Sequence, residues 1–296
     1  MTLQLLINGI SLGSVYALIA VGFALIFNIL KFSNFAHGGL MTVTAYIGYV
    51  ASLFLRDYIS SLPLFLATLA IAALGGGFLA LILERVAFRR LRNSNSPVIY
   101  YFISSITMGI LMENFITIFA SSNFYSYPPF LPASVINYGN LSVAIPDLLM
   151  LFFSASALVI LLFVLYRTKI GLAIRTTSFD VNTARLMGMD PNAVVAATFF
   201  VAGILGGLSG VFLGINYTLY PQLGQMIVKG FVASVIGGLG SISGAVIGAV
   251  LLGVVEIFLI GAVGAGWAPV FIFFIMLIFL LLRPRGISGV IVQEKA

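Results

Sequence analysis

The sequence predicts an all-α, polytopic integral membrane protein, and three features lead to that fold class. Of its 296 residues, 61% are hydrophobic and only 7% are charged, whereas a soluble globular chain carries about 25% charged residues. Apolar segments of spanning length recur along the chain, and basic residues gather in a few of the connections between them. Membrane lipid is therefore the expected solvent for most of the protein surface.

The apolar segments have the length of transmembrane helices. Such a helix needs about 20 residues, because each residue rises about 1.5 Å through about 30 Å of hydrocarbon. The last third of the chain is less regular, since Gly-Leu-Gly-Ser-Ile-Ser-Gly at 238–244 interrupts it. We expect irregular backbone at membrane depth to lie near a translocation path. About nine spans result, or eight or ten if one segment is re-entrant: 5–27, 38–55, 63–83, 98–120, 147–166, 191–215, 226–238, 245–263 and 267–282.

The basic residues indicate an orientation in the membrane. The positive-inside rule assigns loops rich in Lys and Arg to the cytoplasm, so an odd number of spans places the N-terminus outside and the C-terminus inside. The uncharged segment 121–146 is then an external loop with a possible function, although its Tyr residues are also typical of a membrane interface. Twelve of the 14 basic residues follow the first, third, fifth or last span: Lys31, Arg85, Arg89, Arg90, Arg92, Arg167, Lys169, Arg175, Arg185, Arg283, Arg285 and Lys295.

The motifs that the sequence lacks exclude several classes of protein. It has no GxxxxGK[ST], so the chain is not itself a P-loop ATPase. It has no Cys and a single His, His37, which excludes disulfides, thiolate metal sites and multi-histidine metal sites. GxSxG and HExxH are also missing. We expect no enzymatic activity, no metal and no cofactor in this chain, and we attribute its basic pI to membrane orientation rather than to nucleic acid binding.

Few polar side chains lie within the predicted spans. Glu113 and Asn114 lie in the fourth span and Glu256 in the eighth, and an ionisable group in a membrane is a functional hypothesis by default. The alternative is a protonated or hydrogen-bonded structural Glu. Neither carboxylate has an evident His or Lys partner, which argues against a proton-driven carrier. Asn34 and His37 precede and open the second span, where a helix cap and a structural hydrogen bond are the alternatives to a functional role.

The longest predicted cytoplasmic loop, 167–190, contains a candidate docking helix. From Ser178 to Met187 the pattern predicts one short amphipathic helix, with Ser178 as N-cap and Gly188 at its C-terminal end. Apolar residues exposed on such a helix favour contact with a partner surface. A helix lying at the lipid headgroups is the alternative.

Three motifs, in this order and spacing, resemble the permease subunits of branched-chain amino acid ABC importers, in particular the LivH-type subunit. They are NFAHG at Asn34–Gly38, TARLMGM at Thr183–Met189 and GGLGSISG at Gly237–Gly244. The likeness covers nearly the whole chain, including LGSVYALIA at Leu12–Ala20 and ITMGILMEN at Ile106–Asn114. It implies that residues 1–296 form a single permease domain in a bacterial or archaeal cytoplasmic membrane.

The resemblance also implies partners and site residues. The partners are a second permease subunit of the LivM type, two cytoplasmic ABC ATPase subunits that bind ATP and Mg, and an extracytoplasmic substrate-binding protein. The substrate is a branched-chain or other hydrophobic amino acid; urea, short amides and other amino acids are alternatives, as are a stand-alone carrier or channel and a membrane scaffold. Residues implied to couple the chain to the ATPase are Asp180, Thr183, Ala184, Arg185, Leu186, Met187 and Gly188. Residues expected near the translocation path are Asn34, His37, Glu113, Asn114, Gly238, Gly240, Ser241 and Gly244.

Overall fold

The computed structural model describes residues 2–94, 96–130, 135–138, 141–283 and 286–288, and these form a helical bundle with one β-hairpin. A π-helical turn, Glu84–Phe88, continues α3, and a 3-10 helix, Pro221–Met226, precedes α10. The hairpin pairs β1, Val135–Tyr138, with β2, Leu141–Ala144, in antiparallel register. The helices are α1 Thr2–Leu30, α2 Ala36–Leu55, α3 Ser61–Leu83, α4 Arg89–Asn93, α5 Val98–Ala120, α6 Ile145–Arg167, α7 Lys169–Phe179, α8 Val181–Leu186, α9 Pro191–Tyr217, α10 Ile227–Gly237, α11 Ile242–Val263 and α12 Ala268–Leu282.

The predicted all-α membrane fold is confirmed. Within the described residues, seven helices are long and apolar enough to cross a membrane, namely α1, α2, α3 with its continuation to Asn93, α5, α6, α9 and α11. The apolar α12 has 15 residues and α10 has 11. Every predicted span corresponds to a helix, and the last third of the bundle is the irregular part, as its sequence indicates.

The predicted interruption near 238–244 is a turn between two antiparallel helices. Gly238 and Gly240 have φ values of 108° and 89°, a region that glycine enters without steric cost. A side chain at Gly240 would lie 2.8 Å from Asn28 Oδ1 near the end of α1. The turn therefore lies at the end of the bundle where α1 terminates. Beyond it, α11 packs back along α10, with Gly244 against Gly237.

Helix α1 forms the centre of the bundle. Every side chain from Val15 to Ala24 is buried, and α1 packs against α6, α9, α10 and α11. Beside it, α3 and α9 approach so closely that a Cβ on Gly203 would lie 2.6 Å from the Cβ of Ala80. Small residues allow such contacts in lipid, where burial of apolar surface does not drive helices together. The glycines of α9 thus serve helix packing.

The two ends of the bundle differ in charge, and we name them accordingly. The basic end carries the connections after α1, α4, α6 and α12, with most of the described Lys and Arg residues. The loop end carries the described residues of the segment 121–144 and the exposed pair Arg56 and Asp57. Two of the basic residues used to predict the orientation, Arg285 and Lys295, lie outside the described residues.

Candidate coupling surface and transport groove

The segment between α6 and α9 contains two helices, so the predicted single helix starting at Ser178 is wrong. Ser178 lies in the last turn of α7, where its hydroxyl donates to the Arg175 carbonyl. The N-cap of α8 is Asp180, whose Oδ1 accepts from the Asn182 amide at 2.8 Å and whose Oδ2 accepts from the Thr183 hydroxyl at 2.6 Å. A carboxylate that accepts from two donors of the following residues favours the start of a new helix, α8, at Asp180. Gly188, with φ 79°, ends the segment as predicted.

An apolar patch, formed by Phe179, Leu186 and Met187, projects from this segment at the basic end. These side chains are 92%, 88% and 76% exposed. Ala184 differs from its neighbours, since it is fully buried and attaches α8 to the bundle. Among the other residues predicted for coupling, Thr183, Arg185 and Gly188 are exposed. Large apolar side chains exposed in this way are typical of interaction surfaces.

Behind the loop 167–190, which we call the coupling segment for its predicted role, a buried ion pair joins α3, α4 and α9. Glu84 is fully buried, and its Oε1 accepts from Arg92 Nη2 at 2.5 Å. Arg89 lies on the other carboxylate oxygen, with 3.1 Å between Nη2 and Oε2. Arg92 also donates to Asn192 Oδ1 at 2.8 and 2.9 Å. The first turn of α9, directly after the coupling segment, is thus fixed to the end of α3.

A groove opens on the side of the bundle, between α5 and the segment 224–228. Its volume is about 410 Å³. Glu113 lies on its wall, and Gln225 and Val228 line both this groove and a second hollow of about 280 Å³. Lys229 lines that second hollow. The groove residues are otherwise largely apolar: Phe35, Phe102, Ile106, Gly109, Ile110, Gly224 and Ile227.

An intramembrane polar cluster lies beside the second hollow. Lys229 Nζ is 2.5 Å from Glu256 Oε1 and 2.8 Å from the Tyr16 hydroxyl. The Tyr16 hydroxyl is in turn 3.2 Å from that of Tyr217. The Lys229 ammonium lies 5.2 and 5.6 Å from the centres of the Tyr16 and Tyr217 rings, within range of a cation–π interaction.

The expectation that Glu256 has no Lys partner is wrong. Antiparallel packing of α10 and α11 brings Lys229 and Glu256 together, although 27 positions separate them in the sequence. Lys229, Tyr16 and Tyr217 were not predicted as members of one site. A signal was present, since Lys229 is the lone charged residue within the apolar run 226–238.

The residues predicted near the path do not converge on one site. Glu113 lines the groove, whereas the exposed Asn114 donates to the Ile110 carbonyl of its own helix. Asn34 is buried and accepts from the Ala36 amide at 3.2 Å. The ring of buried His37 packs against the glycines Gly22 of α1 and Gly206 of α9. Four further residues lie in or beside the turn at the basic end: Gly238, Gly240, Ser241 and Gly244.

The described part of the predicted external loop packs onto the loop end of the bundle. Tyr125 and Leu219 exchange two backbone hydrogen bonds of 2.9 and 2.7 Å. The Tyr127 hydroxyl donates to the Ala45 carbonyl at 2.6 Å, and burial raises the pKa of this phenol. Together with Phe65 and Phe130, Tyr127 lines an apolar hollow of about 260 Å³. The loop is a packed cover here, at a depth where Tyr is common.

The seven helices of the described ranges that are long and apolar enough to cross a membrane, together with one basic end, define a multi-pass integral membrane protein. Comparison with known families then gives its membership. Residues 5–281 match the family described as "Branched-chain amino acid transport system / permease component", and the chain belongs to that family.

Named relatives are similar over nearly the whole chain. The high-affinity branched-chain amino acid transport system permease protein BraD of Pseudomonas aeruginosa is 34% identical, covering 97% of this chain and 95% of BraD. The corresponding permease protein LivH of Escherichia coli is 31% identical with the same coverages. A probable LivH of Methanocaldococcus jannaschii is 28% identical over 97% of this chain and 92% of its own length.

Proposed function

We propose that this chain is the permease subunit of an ATP-driven importer that moves branched-chain or other hydrophobic amino acids into the cell. The observation that carries the proposal is family membership over residues 5–281, with relatives named for this transport that align along 97% of the chain. ATP hydrolysis then takes place on partner subunits that bind ATP and Mg. Substrate selection lies mainly with an extracytoplasmic binding protein.

In this proposal the basic end faces the cytoplasm, in agreement with the positive-inside rule. The N-terminus is then outside and the C-terminus inside. The apolar patch of Phe179, Leu186 and Met187 docks on an ABC ATPase subunit, because 76–92% exposure of three large apolar side chains is costly in water. The link from Arg92 to Asn192 would carry movement of that patch to α9 and α3.

The translocation path of the proposal runs along the groove that Glu113 lines. A second, LivM-type permease would close its open side, since the groove is shallow and largely apolar. Asn34 and His37 hold the start of α2 behind it by buried contacts. The turn from Gly238 to Gly244 reaches the cytoplasmic end of the path, and Asn114 faces a neighbouring helix or lipid.

A stand-alone secondary carrier is the second candidate, and the Lys229–Glu256 pair favours it. Ionisable residues inside a membrane often mark ion or substrate pathways of carriers. Such a carrier would transport without ATP and would depend on an ion gradient. The similarity to importer permeases along nearly the whole chain favours the permease subunit of an importer.

The test is purification of the tagged chain from its native membrane in mild detergent, with mass spectrometry of the proteins that co-purify. We expect P-loop ATPases and a second permease, and ATP-dependent leucine uptake after reconstitution with the binding protein. Thr183→Arg should abolish uptake while membrane insertion persists, whereas Asn93→Arg, at an exposed position outside the coupling segment, should not. A chain that purifies alone and transports without ATP, in an ionophore-sensitive manner, would establish the carrier instead.

A further inference from the structure

The ion pair of Lys229 and Glu256 differs in position from the other ion pairs of the described residues. It lies beside Tyr16, near the middle of the 29-residue α1, whereas the pairs of Arg56 and of Glu84 lie at the ends of the bundle. Placing two charges away from water costs several kcal/mol per ion, which their attraction repays only with good geometry and further hydrogen bonds. A pair at this depth therefore requires an explanation.

Both members of the pair retain unused hydrogen-bonding capacity. An ammonium has three donors, and the hydrogen bonds of Lys229 to Glu256 and Tyr16 use two. Glu256 Oε2 is buried and accepts no hydrogen bond within the described structure, although its partner oxygen is bound. Leaving a buried carboxylate oxygen unpaired is costly.

Lys229 is the member of the pair that is accessible from the groove, whereas Glu256 lines neither the groove nor the second hollow. The Lys229 side chain is 18% exposed, compared with 5% for Glu256, and it lines the hollow of about 280 Å³ that shares Gln225 and Val228 with the groove. The other walls of that hollow are mainly apolar. They are formed by Tyr220, Met226, Val232, Pro269, Ile272 and Phe273.

We propose that Lys229, held in place by Glu256, binds the carboxylate of a zwitterionic amino acid at the edge of the groove. The Lys229 ammonium binds the α-carboxylate of the substrate with its remaining donor, and Glu256 and Tyr16 hold that ammonium in position. The apolar walls of the hollow receive the hydrophobic side chain. This inference rests on the proposed function, because the site would bind the substrate on the proposed translocation path.

The chemistry of the site explains why opposite charges are held together in the empty state. Each charge neutralises the other until a zwitterion arrives, and the zwitterion brings one charge of each sign, so the net charge of the site does not change. The Tyr16 and Tyr217 rings keep the Lys229 ammonium in place through contacts that do not consume the carboxylate. A single unpaired charge would instead be far more costly at this depth.

The main test removes both charges together, as Lys229→Met with Glu256→Gln, so that no unpaired charge remains. The variant is studied in the assembled complex, reconstituted with ATP and leucine-loaded binding protein. Because each charge-assisted hydrogen bond to substrate is worth a factor of ten or more, we expect leucine uptake per assembled complex to fall at least about tenfold. Binding-protein-stimulated ATP hydrolysis should stay within about twofold of wild type, since the ATPase contacts lie elsewhere.

A structural role and a binding role give different results. If the pair only stabilises the bundle, the double variant lowers the melting temperature and yield but keeps uptake per complex within about twofold, and that result would overturn the proposal. Lys229→Arg provides a second variant, which keeps the charge and should fold. Its planar fork differs from an ammonium, so we expect leucine uptake to change at least about threefold, and unchanged uptake would also count against the site.

Failure of the proposed function looks different from failure of this site. If the wild-type complex takes up no amino acid with ATP, the importer assignment fails, and this site fails with it. If the wild type takes up leucine and both variants do so equally well, only the site is refuted.

Discussion

Replacing Arg92 by Met should destabilise the basic end of the bundle, because Glu84 would lose its nearest counter-charge. Glu84 is fully buried, and the 2.5 Å contact from Arg92 is the shorter of its two ion pairs. Arg92 is also the residue that reaches Asn192 at the start of α9. Met keeps much of the aliphatic stem of Arg, so the change acts mainly on charge and hydrogen bonds.

The size of the effect follows from the burial of the carboxylate. Removing one partner of a buried ion pair costs about 3–5 kcal/mol in the free energy of unfolding. Arg89 would still lie near Oε2, 3.1 Å away, with a side chain 32% exposed, so we expect the lower end, about 3 kcal/mol. Combining Arg92→Met with Glu84→Gln removes both charges and should recover all but about 1 kcal/mol.

The assay is a double-mutant cycle, with denaturant unfolding of the purified chain in detergent followed by far-UV circular dichroism. Glu84→Gln alone completes the cycle, and an interaction energy of at least about 2 kcal/mol is expected, because any cost of Glu84→Gln adds to the difference between Arg92→Met and the double variant. If Arg92→Met and the double variant were equally destabilised, uncompensated charge would not be the cause. The loss would then lie in the hydrogen bonds to Asn192 or in packing of the Arg92 stem.

Three further predictions concern the coupling segment and the helix seams. Asp180→Ala should cost about 1 kcal/mol at the start of α8, seen as faster amide exchange over 181–187; unchanged exchange would refute the cap. Leu186→Asp should weaken retention of the co-purified ATPase at least about tenfold, whereas Ser94→Asp, also exposed at the basic end, should not; equal retention would exclude the patch as a docking surface. Gly203→Leu should prevent folding, detected by size-exclusion chromatography, because even a Cβ meets α3 at 2.6 Å. Gly266→Leu is the control, because a Cβ at Gly266 would meet no atom within 4 Å. An equal folding defect in this variant would contradict the packing explanation.

The spans were predictable because length and apolarity alone decide them. The predicted segment 98–120 coincides with α5, Val98–Ala120, and 191–215 differs by two residues from α9, Pro191–Tyr217. The predicted segment 63–83 ends at the same residue as α3, Leu83, because the apolar segment stops at the first charge, Glu84. The π-helical turn and α4 continue the helical path through that charge to Asn93, and arginines of the next turns neutralise the charge. A hydropathy profile does not show that these arginines pair with the Glu84 carboxylate.

The start of α8 could be predicted only in part. Ser178 and Asp180 are both good N-cap residues, and two positions separate them, so composition does not choose between them. The choice depends on whether α7 extends to Phe179, which it does because Thr177 and Ile174 are buried against the bundle. Tertiary packing of α7 thus determines the register of the segment that carries the apolar patch.

The Lys229–Glu256 contact could be predicted from the sequence only if 238–244 were interpreted as a turn. If that stretch is interpreted as a break at membrane depth, nothing predicts that α10 and α11 pack against each other. Taken as a turn, it makes them antiparallel neighbours, and the four-residue spacing of Ala233 and Gly237 against Gly244 and Gly248 defines their seam. Continuing that seam by one helical turn from Ala233 brings Lys229 opposite α11, one turn short of Glu256. The flexible four-carbon stem of Lys spans this remaining distance, so the small residues at the seam set the position of the charges.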